Sequence, residues 1–100
     1  MKYNKLVRDK IPDIIKSKGE VAKIHVADDI EYWQKLKEKL QEEVGEFMVD
    51  ESTEEITDIL EVIDAIVDFK KIDKKELEKV KADKTEKRGC FKKKIILDES

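Results

Sequence analysis

This chain contains one cysteine, Cys90, which excludes an intrachain disulfide and a thiolate zinc cluster. It has no apolar run of membrane-spanning length, and its N-terminus shows no signal-peptide hydrophobic region. The expected compartment is therefore the cytoplasm, with no membrane partner. It lacks internal repeats and low-complexity linkers, so its 100 residues read as a single domain, 1–100. It also lacks an excess of positive charge: 22 basic residues stand against 25 acidic ones, for a net charge of −3. That balance argues against a general nucleic-acid coat protein. Apolar residues are scarce at 39%, while charged residues reach 47%, against about 25% in ordinary globular proteins. A chain this long buries roughly 60–70% of its unfolded surface, so the core is thin.

The apolar residues that are present fall in strict periods, which excludes wholesale disorder. Pro12 opens a short helix over 12–18 that stops at Gly19. In VAKIHV, 21–26, apolar and polar residues alternate as in a short strand, and the lone histidine, His25, needs no function there. Asp28 followed by Glu31 resembles a capping box. It precedes Ile30, Trp33, Leu36, Leu40, Val44, Phe47 and Met48 at helical spacing. Trp33 reads as core packing, and Tyr32 falls off the stripe toward an interface. Ser52 and Glu55 form a second capping pair before a helix over about 53 to 70, which carries Ile56, Ile59, Leu60, Val62, Ile63, Ile66, Val67 and Phe69. Asp73 and Glu76 start a fourth helix reaching about Glu86, ended by Gly89. FKKKIIL, 91–97, reads as a strand able to pair with 21–26, its lysines guarding an edge. The expected fold is all-α, an antiparallel four-helix arrangement with a small β-hairpin.

Between residues 40 and 60 stand Glu42, Glu43, Glu46, Asp50, Glu51, Glu54, Glu55 and Asp58, inside the most apolar part of the chain. At 100° per residue, Glu43 and Glu46 lie about 70° and 130° from the centre of the second helix's apolar stripe, on one flank. Glu42 points nearly opposite. Glu55 and Asp58 take the same two angles on the third helix. Glu61 points away and Asp64 sits on the other flank, so that rival pair faces the wrong way. A short loop makes these helices antiparallel, and folding the hairpin then brings Glu43, Glu46, Glu55 and Asp58 together. Four anions at close range repel unless a cation joins them. An all-oxygen set points to Mg²⁺, with Mn²⁺ as second choice. The plainer reading is that Glu55 only caps its helix and that the α2 acids are solvated or paired with Lys39. Gly45 costs about 1 kcal/mol relative to alanine in a helix, which a close helix contact or a ligand would explain.

EEVGE (42–46) and EEITD (54–58) resemble the E-E-x-x-E and E-x-x-D motifs of the all-α nucleoside triphosphate pyrophosphohydrolases. That superfamily contains MazG-like proteins, dimeric dUTPases and phosphoribosyl-ATP pyrophosphohydrolase. YNKLVRDKIPDII (3–15) and KRGCFKKKIIL (87–97) are similar to the ends of a MazG-like, phosphoribosyl-ATP pyrophosphohydrolase-like subgroup, and the resemblance covers nearly the whole chain. It implies that Glu43, Glu46, Glu55 and Asp58 bind metal and that Lys84 and Arg88 hold a triphosphate. Two departures stand out: only eight residues separate Glu46 from Glu55, and Cys90 stands where a second glycine is common.

The reaction implied is Mg²⁺-dependent cleavage between the α and β phosphates of a nucleoside triphosphate, yielding monophosphate and pyrophosphate. Glu43 or Glu46 would take the proton from the attacking water. Lys84 and Arg88, spaced i to i+4, would clamp phosphate, or else merely favour the helix dipole. Arg8 and Lys10 belong to the subgroup's opening signature; either they touch phosphate or they form structural salt bridges. The broad apolar surface of the third helix implies a homodimer or homotetramer. The other readings are phosphoribosyl-ATP hydrolysis in histidine biosynthesis and a non-catalytic helical binding protein. Nucleic-acid binding by the basic end, 84–94, is the weakest reading.

Overall fold

The computed structural model describes residues 4–100, and every described element is helical: α1 (Ile11–Ser17), α2 (Asp29–Val49), α3 (Thr53–Phe69) and α4 (Lys74–Arg88). Local chemistry sets the boundaries. Pro12 lies in the first turn of α1, and Gly19 follows its end at φ 78°, a left-handed conformation that glycine adopts without a Cβ penalty. The Asp28 carboxylate accepts the N–H of Glu31 at 2.9 Å and caps α2. Ser52 Oγ accepts the N–H of Glu55 at 3.4 Å and caps α3. Asp73 accepts the N–H groups of Lys75 and Glu76 at the start of α4, and Gly89 at φ 82° closes it.

α2 and α3 form an antiparallel hairpin that supplies the main helix packing of the chain. Leu36 is 1% exposed, and only Val62 and Val67 accompany it as buried apolar residues among those described. An aromatic cluster closes the end of the hairpin opposite the loop. Trp33 stacks on Phe69 with ring centroids 5.5 Å apart, and Tyr32 meets Phe69 edge-on at 5.4 Å. The ammonium of Lys70 lies 4.3 Å from the Trp33 ring centre. Trp33 is thus a packing residue, as its spacing indicates, while Tyr32 joins this cluster although it lies off the stripe.

The expected β-hairpin is not found. No strand exists among the described residues; 20–28 and 95–100 carry no regular structure, and Phe91–Lys94 closes as a turn with Lys94 at φ 59°. A two-stranded ribbon is marginal in water without a surface to bury its apolar face. Here Val21, Val26 and Phe91 are 94%, 92% and 99% exposed. The lysines of 92–94 therefore guard no strand edge in this chain.

Every residue from Lys70 to Ser100 is exposed, so α4 projects from the hairpin without burying a side chain. The radius of gyration is 17.9 Å, well above the about 13 Å of a compact chain of this length. Ile56, Leu60 and Ile63, one stripe on α3, are also exposed. No helix among the described residues is long and apolar enough to cross a membrane.

A core this small concentrates stability in few side chains. Leu36→Ala should cost about 2–4 kcal/mol, read as a lower urea midpoint by circular dichroism. An unchanged midpoint would show that the hairpin is not held by this contact.

Candidate functional site

Near the loop, the acids interrupting the apolar stripes converge. Glu43 and Glu46 of α2 and Glu55 and Asp58 of α3 each place a carboxylate oxygen within 4.8 Å of the others. Helical geometry explains the arrangement: the i, i+3 spacing puts each pair on one flank, and the short connection turns those flanks toward each other. Glu61 and Asp64 lie outside this group and are exposed.

Glu43 is the anomalous member. It is only 6% exposed, and its Oε2 is buried with no hydrogen-bond partner. Its Oε1 meets Lys39 Nζ at 3.4 Å. Glu55 Oε2 is likewise buried and unpartnered. Burial is the first cause that raises the Glu43 carboxyl above its ordinary value, followed by the charge of Glu46; Lys39 opposes both. Glu55 is also raised, first by burial of its carboxyl and then by Asp58, Asp50 and Glu43. Unpaired buried carboxylate oxygens are costly, and native structures rarely keep them.

The capping explanation of Glu55 accounts only for its backbone. Its N–H bonds to Ser52 Oγ, but the Ser52 N–H goes to the carbonyl of Asp50 at 2.8 Å, not back to the Glu55 carboxylate. The reciprocal half of a capping box is missing, and the side chain turns to the acid cluster instead. Pairing with Lys39 accounts for Glu42, at 3.1 Å, and for one oxygen of Glu43. The Glu42 carboxyl is held below its ordinary value, first by the hydrogen bond from Lys5 at 2.8 Å. Lys39 is thus shared between Glu42 and Glu43, and Glu43 Oε2 stays without a partner.

Arg8 reaches the cluster. Its Nη2 donates to Asp58 Oδ1 at 2.8 Å across fifty positions of sequence. Lys5 on Glu42 and Lys35 Nζ on the Asn4 carbonyl, both at 2.8 Å, tie the same segment to α2. Of the two readings of Arg8, the salt bridge is the one present. Lys10 is exposed and its carbonyl joins the first turn of α1. Lys84 and Arg88 stay on the projecting helix, exposed, and join no hydrogen bond or ion pair among the described residues. The protomer therefore gathers the four acids and Arg8 but brings neither α4 cation to them. His25 pairs with Glu31 at 2.9 Å, an exposed contact next to the α2 cap. Gly45 has open space where a Cβ would stand, so no close helix contact accounts for it.

The docking of Lys5 and Arg8 is the part of the site that residue patterns alone do not place. Ion pairs fifty positions apart leave no period to read; the available signal was a run of cations, Lys5, Arg8 and Lys10, in a chain whose acids crowd elsewhere.

No protein-family model matches the chain, and no solved structure matches it. It is similar to an uncharacterized protein of Mycolicibacterium smegmatis, 49% identical over 41 residues, which cover 41% of this chain. The matched region spans 42% of that relative's length.

Proposed function

We propose that the four-acid cluster binds a divalent cation, Mg²⁺ or Mn²⁺, and that the protein is a nucleotide pyrophosphohydrolase of the MazG-like type. The observation that carries this reading is Glu43: a carboxylate 6% exposed, with an unpartnered oxygen, beside three more carboxylates within 4.8 Å. The donor set suits a hard cation, because every ligand atom is a carboxylate oxygen. The four carboxylate oxygens lie within 4.8 Å of one another, so these residues would be the ones to hold such an ion.

Bound there, the cation would supply charge neutralisation for phosphate and a water of lowered pKa. The chain's residues supply the rest. Glu43 and Glu55, whose Oε2 atoms are buried and unpartnered, are suited to hold the ion. Glu46 is exposed, so of the two candidate bases it is the one that can accept a proton from water and return it to solvent. The attacking water forms a new P–O bond at the α phosphorus, the α–β anhydride bond breaks, and pyrophosphate leaves. Lys84 and Arg88 would serve only if a second copy brought them in, since they lie apart from the acids of their own protomer.

Self-association fits the exposed surface. Ile56, Leu60 and Ile63 on α3, with Leu77 and Val80 on α4, form apolar faces that a second copy would cover. The same residues support a second reading, a helical binding protein without catalysis, favoured by the exposed state of Lys84 and Arg88, which join no hydrogen bond or ion pair among the described residues.

Three measurements bear on these proposals. With Mg²⁺ and a panel of nucleoside triphosphates plus phosphoribosyl-ATP, wild type should release pyrophosphate, and Glu43→Gln and Asp58→Asn should lose about 10- to 100-fold or more. No release from any nucleotide would leave the binding protein as the better reading.

The second concerns pH. A carboxyl raised in the native state stabilises the fold below its unfolded value of 4.5 and loses that contribution as pH rises through the native value. The metal-free protein should therefore carry a penalty at pH 7 that Glu43→Gln relieves, seen as a higher melting temperature in EDTA. Saturating Mg²⁺ should raise the wild-type melting temperature and leave that of Glu43→Gln nearly unchanged. Equal Mg²⁺ shifts in both proteins would remove the cluster as the metal site.

For the third, light scattering should give a dimer or tetramer that Leu60→Asp converts to monomer; a monomeric wild type at tens of micromolar would exclude self-association through α3.

A further inference from the structure

Arg8 occupies a place that the proposed cation site would contest. Its guanidinium donates to Asp58 Oδ1 at 2.8 Å, and Asp58 is one of the four residues whose oxygens converge within 4.8 Å. Both partners are partly open to water, with side chains 56% and 36% exposed. An exposed pair of this kind is weakly held and easily exchanged. Its charge nevertheless matters here, because it is the cation the α3 half of the cluster has in this structure, while Lys39 serves the α2 half through Glu43 at 3.4 Å.

We infer that Arg8 is the displaceable counter-ion of the acid cluster: it neutralises Asp58 in the absence of a divalent cation and is released when one binds. The inference rests on the metal reading proposed above. A dication at the cluster takes the negative charge that attracts the guanidinium and adds a positive charge close to it, so the two cations compete whichever Asp58 oxygen the ion uses.

The rest of the segment stays in place, because its other anchors are not ligands. Lys5 bonds Glu42, which is not one of the four converging acids, and Lys35 bonds the Asn4 carbonyl. Release is therefore confined to the Arg8 end. Tethered three residues from its anchor, the freed guanidinium remains beside the metal, available to a phosphate-bearing ligand in bidentate fashion. Linkage makes the effect reciprocal: the metal weakens the Arg8 contact by the factor by which Arg8 weakens metal binding.

The test is Mn²⁺ affinity, by calorimetry on the full-length protein, for wild type, Arg8→Gln, Arg8→Lys and Glu43→Gln. Arg8→Gln should bind Mn²⁺ about two- to fivefold tighter than wild type while melting at a lower temperature in EDTA. Arg8→Lys should lie between. In hydrogen exchange, the peptide covering the Arg8 segment should exchange faster in wild type when Mg²⁺ saturates the site, and should already be fast in Arg8→Gln. A residue that merely held the segment, or that oriented Asp58 as a ligand, would leave Mn²⁺ affinity equal or weaker in Arg8→Gln, and that result overturns the inference while the metal site stands. If Glu43→Gln binds Mn²⁺ as wild type does, the metal site itself fails and the counter-ion role with it.

Discussion

The contact between α2 and α3 is the constraint on which the rest of this chain depends. Leu36, Val62 and Val67 are the buried apolar residues of the described structure, and all three lie in that hairpin. Hydrophobic burial is the dominant favourable contribution to folding, and here its most buried residues lie in one helix pair. From Lys70 onward no side chain is buried. The hairpin thus positions the four acids, Glu43 and Glu46 from α2 and Glu55 and Asp58 from α3.

Against that contact works the repulsion among Glu43, Glu46, Glu55 and Asp58. Both raised carboxyls, Glu43 and Glu55, belong to this group, and burial is the first cause for each. Lys39 and Arg8 reduce the repulsion from opposite sides, one from within α2 and one from a segment fifty positions distant. Neither reaches the Oε2 atoms of Glu43 and Glu55, which stay unpartnered. Substituting leucine or methionine at these positions would enlarge a core that is short of apolar residues. Carboxylates in those places are what a binding site would require and what stability alone would not select.

Local features were legible in the residues, and non-local ones were not. The starts of α2, α3 and α4 follow from Asp28, Ser52 and Asp73, because a cap is a contact over two or three positions. The acid cluster was legible for a related reason: two i, i+3 pairs on matched flanks need only a tight turn to meet. The strands failed because alternation in VAKIHV states what a strand would look like, whereas pairing needs a partner and a surface beneath it. FKKKIIL misled further, since its first four residues close on themselves as a turn through the Lys94 N–H to the Phe91 carbonyl, 3.3 Å. The placement of Lys84 and Arg88 beside phosphate came from family resemblance, and helix spacing within α4 says nothing of where α4 lies.

The two ends of the hairpin divide the work in a way that makes the crowding tolerable. At the open end, where nothing covalent joins the helices, Trp33, Phe69 and Tyr32 interlock and Lys70 covers the indole. Trp33 stands ten positions before Glu43, about 15 Å along the helix, so this clamp is remote from the acids and does not share their dielectric surroundings. At the closed end, residues 50–52 connect the helices directly. There the chain itself limits how far α2 and α3 can separate, and loop closure over three residues costs little. Repulsion placed at the open end would splay the pair; placed beside the loop, it acts against a covalent tether. Glu46 and Glu55 sit within four residues of that loop, where anionic side chains disturb the fold least and where an added cation would have most to neutralise.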